Sequence, residues 1–163
     1  MNIRKATMQD EGELERIYAY ARAFMKQTGN PNQWGDTSPS PEKVRDGIRE
    51  GCAYVLCEGE HIAGAFYFRV GEDPTYREIW DGDWLNDEPY GVLHRVASDG
   101  TVHGVLRAAV AFASEYTNNL RIDTHDDNKV MQRAIANCGF LYCGRILTDN
   151  GTERRAYQKI VRN

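Results

Sequence analysis

The feature that most constrains this chain is a strand that runs through a short glycine-containing loop directly into a helix. A valine-rich run at 90–98 is typical of a central strand, and apolar residues recur at helical spacing over 104–116. Between them lie Gly100 and, at the helix start, Gly104. Such a loop can aim several backbone N–H groups outward beside the positive end of the helix dipole. The pattern therefore predicts either a phosphate or pyrophosphate site or a simple turn before a helix.

Strand and helix patterns alternate on both sides of this unit. Further strands are predicted at 2–6, 52–58, 61–70, 120–124, 141–147 and 154–160. Further helices are predicted after Thr7, after Ser40 and over 128–138. The order β-α-α-β-β-β-α-β-α-β-β indicates a mixed α/β fold, with about seven strands flanked by about four helices. The strands at 90–98 and 120–125 should be parallel neighbours, because the helix at 104–116 connects them.

Size and charge exclude several classes of protein. The 163 residues have the usual size of one domain, and we expect a single domain at 1–163. The formal net charge is −4 and lysine and arginine form no stripe, so nucleic acid is not expected as a partner. No apolar run approaches the ~20 residues needed to cross a bilayer, and the first residues lack the apolar core of a signal peptide. We therefore expect no membrane association.

Cysteine and histidine usage bears on location and metal binding. The cysteines form no C-x-x-C pair and lie inside apolar stretches: Cys52, Cys57, Cys138 and Cys143. We interpret them as small buried hydrophobic residues in a reducing compartment, which makes the cytoplasm the expected location. His61 and His103 have no metal-ligand spacing with any acid or cysteine, so no metal is expected.

A second segment makes the prediction from the strand–loop–helix unit more specific. The strand pattern at 120–124 leads to Asn128, which begins a helix pattern closed by Gly139 and Phe140. Together with the central unit, this segment resembles the GNAT superfamily of N-acetyltransferases, and the resemblance covers essentially the full length. Residues 93–116 match the family's strand, pyrophosphate loop and helix, and residues 120–140 match its next strand and asparagine-led helix. The resemblance implies the GNAT fold.

The resemblance also implies acetyl-CoA as co-substrate and residues that would bind it. Backbone groups of His94 and Val96 would bond the pantetheine arm as an extra strand would, and Asn128 would touch the cofactor from the next helix. Backbone N–H groups of the loop and helix start would hold the pyrophosphate: Thr101, Val102, His103, Gly104, Val105 and Leu106. The sequence departs from the family pattern at three positions. Thr101 stands where the family has a basic or amide residue, and Leu106 stands where it has a small residue. Ile135 stands where many members have the tyrosine that acts as general acid.

His94 and Asp123 are the candidates for the catalytic base. His94 lies on the expected cofactor strand and Asp123 on the strand that the family places beside it. If the two side chains meet, the carboxylate would orient the imidazole as a base. The alternatives are a structural pair, an ion pair of Asp123 with Arg95 or Arg121, or bound water as the base. His125 could touch the cofactor or cap the next helix.

The acceptor site has candidates of two kinds. Trp34 stands in a polar loop, where it either packs on the sheet or contacts the acceptor, and Tyr67 and Tyr142 are further substrate-binding candidates. Trp80 and Trp84 are interleaved with carboxylates in the connection before 90–98: Glu72, Asp73, Glu78, Asp81, Asp83, Asp87 and Glu88. This stretch is either a solvated loop or, beside the acceptor entrance, an attractor of cationic amines.

These observations lead to one expected function and two alternatives. We expect an N-acetyltransferase that moves an acetyl group from acetyl-CoA to a primary amine of a small molecule, amino acid or peptide, by direct attack in a ternary complex. The first alternative is a non-catalytic GNAT-fold protein that binds acyl-CoA or a metabolite. The second is an interaction module that pairs through its sheet edges. Fold analogy alone suggests a homodimer.

Overall fold

The computed structural model describes residues 1–161, which form seven strands and four helices in the predicted order. The strands are β1 Asn2–Lys5, β2 Ala53–Glu58, β3 His61–Val70, β4 Gly91–Ser98, β5 Asn119–Thr124, β6 Leu141–Leu147 and β7 Glu153–Ile160. The helices are α1 Glu11–Gln27, α2 Pro41–Arg49, α3 Val105–Ala113 and α4 Lys129–Asn137. Short 3-10 turns occupy Met8–Asp10 and Pro74–Tyr76. The helix expected over 104–116 ends at Ala113, where the backbone hydrogen bonds change: the N–H groups of Glu115 and Tyr116 bond carbonyls three residues back.

All seven strands join one mixed sheet in the order β1-β2-β3-β4-β5-β7-β6. Neighbouring strands are antiparallel except β4 and β5, which are parallel. The prediction that the strands at 90–98 and 120–125 are parallel neighbours is therefore confirmed. Within residues 1–161, no helix is both long and apolar enough to cross a membrane.

Helices cover the two faces of the sheet, and alternate residues of a strand reach different helices. On β2, fully buried Val55 packs in a cluster with α1 and α2, whereas its neighbour Leu56 packs in a cluster with α3. A third cluster around Tyr76 and Ile146 closes the end of the sheet near β6. Successive side chains of a strand point to opposite faces of the sheet, and here both faces are buried.

The parallel pair β4–β5 opens shortly after it begins. Its registered positions are Gly91 with Leu120 and Val92 with Arg121. Beyond Val92, β4 keeps β3 as its partner, while its other edge faces no registered strand within residues 1–161. That edge therefore offers backbone N–H and C=O groups to a ligand, as an unpaired strand edge does.

A bulge in β4 lies beside this opening. Arg95 has a left-handed backbone with φ of 54°, and the β3–β4 register shifts opposite it, between Ala65 and Tyr67. The Tyr18 hydroxyl of α1 donates a hydrogen bond of 2.9 Å to the Arg95 carbonyl, which ties α1 to the bulge. His94 and Arg95, at this bulge, both line the same cleft.

Candidate active site

Two clefts meet where β4 and β5 separate. The loop cleft, of about 540 Å³, lies between α1, the loop 98–104, the start of α3 and one side of α4. The His94 cleft, of about 720 Å³, lies between the Trp34 loop, α2, β3, β4 and the turn after β6. The two clefts share Met25, Val96 and Met131 as lining residues. A molecule in one cleft can therefore touch a molecule in the other beside Val96.

The loop cleft has the backbone geometry of an anion site. Gly104 starts α3 with φ of 80°, and a Cβ added there would meet nothing within 4 Å, so this backbone faces open space. Gly100 has φ of 86°, and a Cβ there would lie 2.2 Å from the Tyr20 hydroxyl. The first N–H groups of α3 lack partners within the helix and lie at its positive end. Glycine at 104 thus leaves the helix start open to the close approach of a phosphate, and glycine at 100 makes room for Tyr20.

Asp99 fixes the shape of this loop and also uses one of the expected donors. Its buried carboxylate accepts hydrogen bonds from the Thr101 N–H at 2.9 Å and the Thr101 hydroxyl at 2.6 Å. Arg16 and His61 contact its other oxygen at 3.1 Å and 2.8 Å. The Thr101 N–H therefore serves the loop and not a ligand, and the donor set expected from the sequence shortens to residues 102–106.

Apolar side chains and one cation complete the loop cleft. Tyr20 and Phe24 of α1 line it although they are 45% and 41% exposed, as does Val130 of α4. Exposed aromatic and aliphatic side chains around a cleft are suited to a long, partly apolar ligand. Arg107 is the cation that sequence reasoning missed, and it lines the cleft in the first turn of α3. Leu106 borders the cleft but is buried in the core, so its side chain is held away from solvent.

Asn128 caps α4 at the edge of the loop cleft. Its side-chain oxygen accepts from the Met131 N–H at 3.0 Å, and its amide donates to Gln33 at 2.9 Å. His125, which could have touched the cofactor or capped, accepts from the Asp127 N–H and holds the turn before α4. Ile135, at the position of the family's tyrosine, is fully buried in the core.

His94 lies between two carboxylates in the other cleft. Its Nε2 is 2.8 Å from Asp73 Oδ2, and its Nδ1 is 3.8 Å from Asp123 Oδ2. The structure thus brings His94 and Asp123 together, but the direct hydrogen bond goes to Asp73. Sequence reasoning had placed Asp73 only in the acidic connection. Its local signal is the Asp-Pro-Thr start of a 3-10 turn, where Asp73 caps Thr75.

The hydrogen bonds fix the tautomer of neutral His94. Burial by itself would raise the pKa of Asp73, but hydrogen bonds from His94 and Thr75 outweigh burial and hold this pKa well below its usual value. An ionised carboxylate only accepts, so His94 Nε2 must carry the proton of this bond. The lone pair of the neutral ring is then on Nδ1, on the side of Asp123. A proton taken up there gives an imidazolium flanked by two carboxylates.

Asp123 is held by partners other than those expected. The Tyr76 hydroxyl donates to Asp123 Oδ2 at 2.7 Å, and Arg154 Nη1 is 3.6 Å from Asp123 Oδ1. Burial and the nearby Asp123 charge raise the pKa of Tyr76 well above its usual value, so Tyr76 remains a donor. Arg121, one alternative partner, is instead stacked between aromatic rings of the acidic connection. Arg95, the other, lies over the Tyr67 ring at 5.0 Å.

The three substrate-binding candidates lie in different places. Trp34 and Tyr67 line the His94 cleft, and Trp34 also packs edge-on against Tyr18 with 5.6 Å between ring centroids. Burial, with smaller contributions from Cys52 and Glu50, raises the pKa of Tyr67 to about 12, so its hydroxyl stays protonated. Tyr142 lies outside both clefts, on edge strand β6, where it packs against Tyr157 and under Arg155.

The acidic connection contributes one carboxylate to the His94 cleft. Asp73 lines the cleft, whereas the other six are exposed outside it: Glu72, Glu78, Asp81, Asp83, Asp87 and Glu88. Its tryptophans fold back on the sheet. Trp84 donates to the Tyr76 carbonyl at 2.9 Å, and Trp80 forms an isolated bridge with Arg145.

Among the described residues, no group of three or more His, Cys, Asp or Glu could hold a metal ion.

Solved structures support the assignment of the fold. An acetyltransferase of the GNAT family from Streptococcus agalactiae is 29% identical, with a TM-score of 0.90, covering 99% of this chain and 96% of that one. A GNAT-family acetyltransferase from Listeria monocytogenes is 20% identical, with a TM-score of 0.70 over 98% and 94% of the two chains. The Salmonella typhimurium protein yncA, solved with acetyl-CoA, is 14% identical, with a TM-score of 0.60 over 99% and 94%.

No family model and no curated protein matches the sequence. The match to the S. agalactiae acetyltransferase nevertheless covers 99% of this chain, which includes the seven-stranded sheet and the loop before α3. The chain belongs to the GNAT superfamily.

Proposed function

We propose that this protein is an acetyl-CoA-dependent N-acetyltransferase that acts on a primary amine of a small molecule, amino acid or peptide in a ternary complex. The observation that carries the proposal is the meeting of the two clefts at Val96, on the open edge of β4, with His94 lining the larger one. The likeness to GNAT acetyltransferases supports it.

The loop cleft fits acetyl-CoA. The open space at Gly104 and the N–H groups of 102–106 would hold the pyrophosphate, and the unpaired edge of β4 at His94 and Val96 would bond the pantetheine arm. Tyr20, Phe24 and Val130 supply apolar contact. Acetyl-CoA supplies a thioester carbonyl that an amine can attack and a thiolate that can leave.

His94 would remove the proton of the attacking amine, directly or through one water. The lone pair on Nδ1 makes the neutral ring a base, and Asp73 and Asp123 stabilise the charge that it acquires. Holding the amine beside Val96 contributes through proximity, which is worth up to ~7–11 kcal/mol in favourable systems.

One observation favours a second function, that of a binding protein without turnover. Ile135 is buried where many members of the family have a tyrosine acid, so this route for protonating the leaving thiolate is missing. Release of free thiol from acetyl-CoA in the presence of a pool of amines separates the two functions, because a binding protein releases none.

The cofactor site is tested by thermal stability. Acetyl-CoA at 100 times its Kd should stabilise the protein by about 2.7 kcal/mol, which is roughly 5–10 °C in Tm for a chain of this size. Gly104→Asp should abolish this shift, because it puts bulk and negative charge where the pyrophosphate would lie.

Gly29→Asp is the matched control. Gly29 has a similar φ of 85° and open surroundings but lies outside both clefts, so this variant should keep the full shift. An undiminished shift in Gly104→Asp would place acetyl-CoA elsewhere on the protein.

A further inference from the structure

The His94 cleft carries a surplus of positive charge. Four cations line it, Lys43, Arg69, Arg95 and Arg154, against three carboxylates, Asp73, Asp123 and Asp149. Two of these carboxylates are already engaged, Asp73 by His94 and Asp123 by Tyr76 and Arg154. The chain as a whole has a net charge of −4, so the cleft is positive on an acidic protein.

Three of the four cations have no anionic partner in the part of the chain that the structure describes. Within residues 1–161, no carboxylate lies within the 4.0 Å ion-pair distance of Lys43, Arg69 or Arg95. Arg69 donates to the Glu72 carbonyl at 2.8 Å, and Arg95 to the Lys43 carbonyl at 3.4 Å. Neutral carbonyls orient these guanidinium groups but leave their charge uncompensated.

The fourth cation is buried and incompletely bonded. The Arg154 side chain is 10% exposed, and its Nε has no hydrogen-bond partner among the described residues. Its Nη2 donates to the Gln33 carbonyl at 3.2 Å. A buried donor without an acceptor is costly. Because this Nε is enclosed by the protein and Arg154 already pairs with Asp123, Lys43, Arg69 and Arg95 are the cations of the cleft that remain for a ligand.

We propose that the acceptor is a small primary amine that also carries a carboxylate, held by a cationic wall of Lys43, Arg69 and Arg95. This inference rests on the proposed function and names the substrate class for the same cleft. His94 takes the amine end, and the wall takes the carboxylate, whose planar oxygens suit a guanidinium fork.

The donors of the wall, which are side-chain cations and not free backbone N–H groups, favour a carboxylate over a phosphate. Phosphate sites commonly use backbone N–H groups at a helix start. Here the Lys43 N–H, in the first turn of α2, is already bonded to the Ser40 hydroxyl. The wall therefore offers side-chain cations. The acidic connection, which supported a cationic acceptor at the sequence level, keeps six of its seven carboxylates outside the cleft.

The experiment compares matched amines in an acetyl-CoA thiol-release assay. Each set contains an α-amino acid, its amide, its decarboxylated amine and its aminophosphonate analogue, and spermidine serves as the cationic amine. The amino acid should exceed its amide in kcat/KM by roughly 10-fold or more, since hydrogen bonds to charged groups are strong. The advantage should shrink as salt rises. Equal rates, or a preference for spermidine or for the aminophosphonate, would overturn the proposal.

Variants of the wall locate the effect. Arg69→Gln and Lys43→Met should bring the ratio of kcat/KM for the amino acid to that for the amide close to one, chiefly by raising KM of the amino acid. Arg49→Gln is the control on α2, because Arg49 is exposed, pairs with Asp46 and lies outside both clefts. An unchanged ratio in both wall variants would also overturn the proposal.

Binding separates this inference from the proposed function. If no amine releases thiol, calorimetric titration of the CoA-bound protein with the amino acid should still show saturable binding that is lost in Arg69→Gln, and its absence overturns the inference. If CoA does not stabilise the protein and no thiol is released, the proposed function itself is contradicted. If amides and amino acids are turned over equally, only the proposed preference for a carboxylate is contradicted.

Discussion

At the scale of single residues, the site depends on a histidine that two strands and one connection bring between carboxylates. His94 on β4 and Asp123 on β5 approach each other because the parallel strands are neighbours. Asp73 comes from the connection after β3 and makes the direct bond to His94. Asp73 and Asp123 differ in role, because one fixes the tautomer and the other faces the lone pair.

We expect His94→Gln to lower kcat by roughly 10²–10⁴, the usual contribution of a positioned base. Asp73→Asn should also lower kcat, because it removes the charge that orients the ring. The loss of activation free energy in the double variant should be smaller than the sum of the losses in the two single variants, because the residues act as a unit. The measurement is steady-state kinetics with folding checked by Tm.

Tyr142→Phe is the control for these variants, because Tyr142 lies outside both clefts, and its kcat should be unchanged. Normal turnover in folded His94→Gln and Asp73→Asn would leave bound water as the base.

At the scale of elements, one buried carboxylate connects α1 and β3 to the loop between β4 and α3. Asp99, just after β4, bonds Arg16 of α1, His61 of β3 and Thr101 of the loop. Burial by itself would raise the pKa of Asp99, but hydrogen bonds from Thr101, Arg16 and His61 outweigh burial and lower it to about 2. The loop conformation is thus coupled to the charge of Asp99.

Asp99→Asn should therefore destabilise the protein at neutral pH by about 2 kcal/mol, or roughly 4–8 °C in Tm. A pKa that is lower in the folded state gives stability that is present above the unfolded value of 3.8 and is lost as pH falls toward about 2. The difference between wild type and variant should be constant from about pH 7 to pH 5 and should shrink below pH 4. Denaturant unfolding at several pH values measures this difference, and a gap that grows on acidification contradicts the assignment.

At the scale of the whole molecule, helices on the two faces share one sheet. Ile17 of α1 is fully buried in the cluster that includes α2, and Trp34 packs against that cluster. Trp84 packs at the far end, in the cluster around Tyr76 and Ile146. Because the sheet connects these clusters, we propose that the chain unfolds as the single domain expected from its length.

Ile17→Ala tests this expectation, since it should cost about 2–5 kcal/mol by leaving a cavity in one cluster. Tryptophan fluorescence and far-UV circular dichroism should still report one coincident transition, shifted equally for both probes. Two separated transitions would show that the clusters unfold independently.

The sequence by itself determined the order of elements and the central strand–loop–helix unit. Those features depend on local sequence patterns: the spacing of apolar residues, glycine where the backbone needs positive φ, and helix caps such as the Asn128 side chain. The parallel pairing of β4 and β5 followed, because a helix connects them. His94 and Asp123 could be predicted as neighbours for the same reason.

Tertiary structure alone decided which groups complete the clefts. Asp73, Tyr76 and Arg154 reach His94 and Asp123 from distant parts of the chain, so no local spacing predicts them. The cationic wall is assembled from α2, β3 and β4, whereas the acidic connection is continuous in sequence but turns outward. Charge near a site depends on which face each side chain takes, and packing fixes that face only when the chain has folded.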